Sequence, residues 1–97
     1  MLTSKQRAKL RSIAQTIEPI TQVGKLGVND SLIESLDLAI EKRELIKVTV
    51  LENSGLVPRE AGEEIAALLF AEFVCATGRK LVFYRRSLSD KVEHIEF

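Results

Sequence analysis

Ile20-Thr21-Gln22-Val23-Gly24-Lys25-Leu26-Gly27-Val28-Asn29-Asp30-Ser31 compresses a strand, a glycine loop and a helix start into one short stretch. Ile20 to Val23 has the composition of a short strand. Gly24 and Gly27 allow backbone conformations and close approaches that other residues resist. Asn29 is a good helix cap, and a helix is expected over about Asp30 to Arg43. Ile33, Leu36 and Ile40 are spaced to face inward, with Glu34, Asp37, Glu41 and Lys42 outward. Leu45-Ile46-Lys47-Val48-Thr49-Val50-Leu51 then reads as the clearest strand of the chain. Strand, helix and strand in succession form a β-α-β unit, which requires a right-handed crossover and a helix packed on a sheet.

Working outward, a first helix is expected from about Ser4 to Ile17, with Leu10, Ile13, Ala14 and Ile17 as its buried stripe. Lys5 and Lys9 flank that stripe on one side, and Arg7 and Arg11 on the other. Pro19 ends the helix. Downstream, Asn53-Ser54-Gly55 is a loop and Pro58 suits the first turn of a third helix, expected over about Arg59 to Phe73. That helix would bury Ala61, Ile65, Leu68, Leu69 and Phe73. Val74-Cys75-Ala76 and Leu81-Val82-Phe83-Tyr84-Arg85 read as two strands around a tight turn at Thr77-Gly78-Arg79. The order is α-β-α-β-α-β-β, and the fold class is α/β: a two-layer sandwich with a mixed sheet of about four strands. Residues 1–97 are expected to be one domain, with roughly the last ten residues an edge strand or a tail.

Forty-five per cent hydrophobic and 29% charged residues describe an ordinary globular chain. No apolar run approaches the ~20 residues of a membrane span. The start of the chain has no secretory-signal pattern, and Cys75 alone cannot build a disulfide framework. A cytoplasmic monomer is expected. The net charge is zero but unevenly spread. Residues 1–27 carry Lys5, Arg7, Lys9, Arg11 and Lys25 against Glu18, whereas residues 28–76 carry four basic and ten acidic side chains. Residues 77–97 are basic again, through Arg79, Lys80, Arg85, Arg86 and Lys91. If the two ends fold together, one face is basic and another acidic.

Three blocks carry a resemblance: Val23-Gly24-Lys25-Leu26-Gly27-Val28, Glu44-Leu45-Ile46-Lys47-Val48, and Gly78-Arg79-Lys80-Leu81-Val82-Phe83-Tyr84-Arg85. Together they resemble the CRM domain (chloroplast RNA splicing and ribosome maturation), in the stand-alone YhbY-like bacterial form, over roughly Leu2 to Arg86. The resemblance implies a fold similar to the C-terminal domain of the third bacterial translation initiation factor, a glycine loop like that of KH domains, and binding to structured RNA. It further implies a role on ribosomal RNA of the precursor large (50S) subunit, in ribosome biogenesis; ribosomal proteins are a further candidate partner, through an acidic face on the second and third helices. Gly24, Lys25, Leu26 and Gly27 would then form the phosphate-contacting GxxG loop. Leu26 departs from the family, which often has Asn or a second basic residue there. Lys5, Arg7, Lys9, Arg11, Arg79, Lys80, Arg85 and Arg86 are the further candidates for phosphate contacts.

Catalysis finds no foothold. His94 reads as a solvent-exposed tail residue, Cys75 as a small core hydrophobe, and Glu60, Glu63, Glu64 and Glu72 as a solvated helix face. No Cys/His spacing suits zinc, and no cofactor motif is present. Tyr84 reads as a core tyrosine, which leaves no aromatic stacking platform and favours recognition of backbone shape. The rival to an RNA binder is a protein-interaction module, in which Glu34, Asp37, Glu41, Glu60, Glu63 and Glu64 meet a basic partner.

Overall fold

A computed structural model describes residues 2–97. Its elements are α1 (Ser4–Ala14), β1 (Thr21–Val23), α2 (Asp30–Arg43), β2 (Leu45–Val50), α3 (Pro58–Leu69), β3 (Glu72–Thr77) and β4 (Lys80–Tyr84), with a 3-10 turn at Glu52–Ser54. The expected order stands. The sheet runs β1-β2-β4-β3, with β1 parallel to β2 and both other pairings antiparallel. It is the four-stranded mixed sheet that a β-α-β unit followed by a hairpin should give.

The layer count differs from expectation. Ile46, Val48, Val50, Leu81 and Phe83 point into one core with Leu36 and Ile40 of α2 and Ala61, Ile65 and Leu69 of α3. Leu45, Val82 and Tyr84 point to the opposite face, where they meet Leu10 and Ala14 of α1. The sheet is therefore covered on both sides, with α1 alone on one and α2 and α3 on the other. The reason lies in β4: Leu81, Val82, Phe83 and Tyr84 are all buried, so successive side chains must enter two cores.

Helix ends follow local chemistry. Thr3 and Gln6 form a reciprocal capping box at the start of α1, and Asn29 Oδ1 accepts the Leu32 N–H at 2.8 Å to start α2. α1 stops at Ala14, three residues short of the expected end. α3 ends at Leu69, where Phe70 turns the chain in the left-handed region (φ 54°). Phe73 therefore belongs to β3, where its ring stacks on Phe83 at 5.7 Å. Leu68, expected inside, is half exposed.

The tail does not add a strand. Residues 87–95 are held instead by Glu41, which accepts from the Ser87 hydroxyl and the Leu88 N–H, and by Glu44, which is fully buried at the α2–β2 junction with φ 65°. Its Oε2 accepts the Ser87 N–H at 2.7 Å and faces His94 Nδ1 at 2.5 Å, and its Oε1 accepts the Ile95 N–H at 2.7 Å. His94, expected in solvent, is thus half-buried and bonded to a carboxylate fifty residues away. Among the described residues, no buried side-chain nitrogen or oxygen lacks a partner.

Candidate nucleic-acid interface

The glycine loop sits at the C-terminal end of edge strand β1. Gly27 N–H donates to Gly24 O at 2.9 Å, closing a four-residue turn that lifts Lys25 and Leu26 into solvent. Gly27 lies at φ 66°, where a side chain would be strained. Gly24 does not: a Cβ there would make only ordinary contact with Leu51. The two glycines thus differ in role, Gly27 shaping the turn and Gly24 keeping its surface low. The start of α2 is less open to an anion than its sequence suggests, because Asn29 already takes the Leu32 N–H.

Beside this loop the α1 face of the sheet is polar and basic. Gln22, Thr49, Lys80 and Thr77 are consecutive register partners across all four strands. With strands about 4.8 Å apart, this row spans roughly 14 Å, and Lys25 stands within about 10 Å of its β1 end. Below the row, Lys47 pairs with Val82 on β4. Lys47 and Lys80 line a groove with Arg11, Ala14 and Gln15 of α1, together with Cys75 and Thr77 of β3. Lys47 was not a candidate from sequence, where it reads as one residue of an apolar strand. Alternation could have found it: Lys47 and Thr49 are the polar positions of β2, and they share one face.

Three of the expected phosphate ligands are engaged within the fold. Arg7 Nη1 donates to the carbonyls of Phe73 and Val74, both at 2.7 Å, where β3 is irregular between Phe73 and Cys75. Arg85 donates to Asp37 Oδ1 and to the Leu69 carbonyl, both at 2.7 Å, and ties α2 to the end of α3. Arg79 donates through Nε to Val50 O at 2.7 Å, and through Nη2 to Leu51 O at 3.0 Å and Leu56 O at 3.4 Å. Lys5 and Lys9 are exposed on the other flank of α1, where they line hollows with Phe97 and with Glu93 and His94 of the tail. Arg86 is exposed after the end of β4. The twelve residues named from sequence therefore do not form one patch. Arg11 and Lys80 share a groove with Lys47, and the Gly24, Lys25, Leu26, Gly27 turn follows the β1 end of the polar row; Lys5, Lys9 and Arg86 lie elsewhere.

Arg79 still matters to the loop. The Leu51 N–H donates to Val23 O at 2.9 Å, so the segment that Arg79 grips is the one that braces the end of β1. Arg79→Met keeps the apolar stem and removes every donor. It is expected to lower unfolding free energy by about 2 kcal/mol in urea titration, with Arg79→Lys recovering little, since an ammonium cannot reproduce the planar fork. An unshifted midpoint in the Met variant would assign Arg79 to the surface instead.

Carboxylates near the tail have perturbed titration. Hydrogen bonds from the Ser87 hydroxyl and the Leu88 N–H, aided by Arg85 against the cost of burial, hold Glu41 below the usual carboxylate value. Burial alone would raise Glu44, yet the bonds from His94, Ser87 and Ile95 outweigh it and bring that carboxyl below its usual value too. Burial and the Glu44 charge push Tyr84 up. Each of these groups serves the architecture. Among the described residues, no cluster of His, Cys, Asp or Glu could hold a metal, and no helix is long and apolar enough to cross a membrane.

Comparison with known proteins places the chain in a family. The "Probable RNA-binding protein YqeI" of Bacillus subtilis (strain 168) is 42% identical over 91 residues, covering 94% of this chain and 95% of that one. The "Probable RNA-binding protein MJ0652" of Methanocaldococcus jannaschii is 34% identical over 86 residues, covering 87% of this chain and 63% of that one. Among solved structures, that of "the hypothetical protein SAV1595 from Staphylococcus aureus, a putative RNA binding protein" superposes with a TM-score of 0.75 at 38% identity, over 98% of this chain and 100% of that one. The CRS1 / YhbY (CRM) domain matches residues 2–85, from the start of α1 to the end of β4, and the chain belongs to that family.

Proposed function

We propose that this chain binds structured RNA, with the 24–27 loop and the groove of Arg11, Lys47 and Lys80 as its interface, and that the RNA is that of the assembling large ribosomal subunit. The observation that carries the reading is the convergence of Arg11, Lys47 and Lys80 in one groove on the α1 side of the sheet, with the Lys25 turn following the β1 end of the row that holds Lys80. The acidic side chains of α2 and α3 belong to the opposite side. Family membership and the names of its relatives support RNA as the polyanion. Lysine heads give point charges to phosphates, Arg11 gives a fork, and the low surface at Gly24 lets a sugar-phosphate backbone come close. The groove has no exposed aromatic platform, which suits recognition of folded RNA by backbone shape. The mechanism is binding and holding of RNA structure, without catalysis.

If four phosphates are contacted, log K should fall with log salt at a slope of about −3 to −4. Lys47→Glu/Lys80→Glu should weaken binding to precursor large-subunit RNA about 100-fold or more, since each reversal removes one attraction and adds one repulsion. Sucrose-gradient sedimentation of tagged protein from lysate tests the ribosomal part: signal at or just below the large subunit, released by high salt and absent for the double variant, is expected. A flat salt response with full binding by the double variant would overturn the interface.

A further inference from the structure

The face opposite the proposed RNA interface has its own unexplained feature. Phe70 sits at the left-handed residue that closes α3, where Phe70 N–H and Ala71 N–H donate to Ala67 O and Ala66 O. This is the position where glycine is the usual choice, because any side chain is strained there. Burial does not offset that strain, since Phe70 is 90% exposed. A large aromatic held in an unfavourable backbone conformation with its ring in water contributes nothing evident to the fold.

Phe70 has company. Leu88 is 94% exposed, Leu38 67% and Leu68 50%. Arg85 links the backbone segments that carry these four. Its guanidinium touches Asp37, the neighbour of Leu38, the carbonyl of Leu69, which lies between Leu68 and Phe70, and Glu41. Glu41 in turn accepts the Leu88 N–H at 2.8 Å. Each apolar residue therefore lies one bond or one Cα step, about 3.8 Å, from a group around the same cation. Arg85 is itself spent on Asp37 and Glu41, so its charge is matched. Around the apolar cluster the surplus is negative: Glu34 stands one turn before Leu38 and Glu64 one turn before Leu68, on the same helix faces, with Glu63 beside it. Lys42, one turn past Leu38, and exposed Arg86, two residues before Leu88, only partly offset them.

From this geometry we infer that the α2–α3 face is a protein-docking surface whose occupant is a basic segment carrying exposed apolar side chains. The chemistry excludes nucleic acid at this face, since carboxylates border it. An apolar centre bordered by a surplus of carboxylates is the anatomy of a site whose partner supplies leucine-like anchors and cations. The surface is separate from the RNA interface, so both can be occupied together. The inference stands whether or not the RNA reading does.

The test uses the full chain, isotope-labelled, with two synthetic 16-residue probes: one built of Lys-Leu-Leu-Lys repeats and one of Lys-Ser-Ser-Lys repeats. The leucine probe should shift amide resonances at and around Leu38, Leu68, Phe70 and Leu88, while the serine probe binds at least tenfold more weakly. Phe70→Ser should weaken the leucine probe tenfold or more without unfolding, and Phe70→Gly should do the same while relieving backbone strain. Glu63→Lys/Glu64→Lys should weaken it further. Equal binding of both probes, shifts confined to other faces, or unchanged affinity in both Phe70 variants would overturn the proposal. Sedimentation showing a dimer abolished by Phe70→Ser would overturn it too, by making a second copy the occupant.

Discussion

Glu44→Ala is expected to free the tail around His94 and Ile95, while Glu41 still holds Ser87 and Leu88, and to lower unfolding free energy by about 3 kcal/mol. That is a large part of the 5–15 kcal/mol typical of a domain. The carboxylate is fully buried, and it answers three donors: Ser87 N–H, Ile95 N–H and His94 Nδ1. Alanine leaves all three without an acceptor, and they recover water only if the tail comes away. Glu44→Gln is the sharper comparison. All the donors point at the two oxygens, so an amide must turn its own N–H groups toward at least one of them, and a cost of about 1–3 kcal/mol is expected. Glu44→Gly loses the clasp but relieves the φ of 65°, so it should be less destabilising than Ala by about 1 kcal/mol. Urea midpoints give the order of the three, and hydrogen exchange at Ser87 and Ile95 locates the loss. A protected Ile95 amide in the alanine variant would refute the clasp.

Acid should act on the same contact. Glu44 and Glu41 both have carboxyls held below their unfolded values. A depressed folded pKa adds stability that is fully present above the unfolded value, about 4.3, and is lost as pH falls through the folded one. Exchange at Ser87, Leu88 and Ile95 should therefore quicken below about pH 4, ahead of amides in β2 and β4.

The order of elements was legible because strand and helix periodicities separate cleanly along the chain, and because Pro19, Asn29 and Pro58 mark boundaries. Where reading failed, a local signal was missing or inverted. The third helix was extended to Phe73 because Phe70 occupies the stop position usually marked by glycine. The layer count failed because a continuous apolar run such as Leu81 to Tyr84 shows that a strand is buried, but not what covers each face. The glycine loop was readable from Gly24 and Gly27. The sequence could not show which basic residues bond within the fold, because nothing in it tells a cation aimed at solvent from one bonded to carbonyls, as Arg7 and Arg79 are. Lys47 was passed over for the opposite reason, being embedded in an apolar strand. The pairing of Glu44 with His94 joins positions fifty apart, and only the folded chain brings them together.

Gly62→Val is expected to cost about 3 kcal/mol, although valine is a better helix residue than glycine. Gly62 is buried in α3, and a Cβ placed there would lie 2.5 Å from Phe73 Cζ, with Cε1 at 2.7 Å and Cε2 at 2.9 Å. Three ring atoms in contact mean that Phe73 stands end-on against the helix backbone. The ring has little freedom to swing aside, because it stacks on the fully buried Phe83. Gly62→Ala gains about 1 kcal/mol in helix propensity and still meets the ring, so a net loss of about 1–2 kcal/mol is expected. The decisive comparison is a double-mutant cycle with Phe73→Leu, which shortens the opposing side chain. Alone, Phe73→Leu should destabilise by opening a cavity beside Phe83; combined with Gly62→Ala, the new methyl should enter that space. A coupling of about 1 kcal/mol or more in the stabilising direction would show that helix and strand approach this closely because residue 62 has no side chain. Additive effects would place the cost of Gly62→Ala elsewhere in α3.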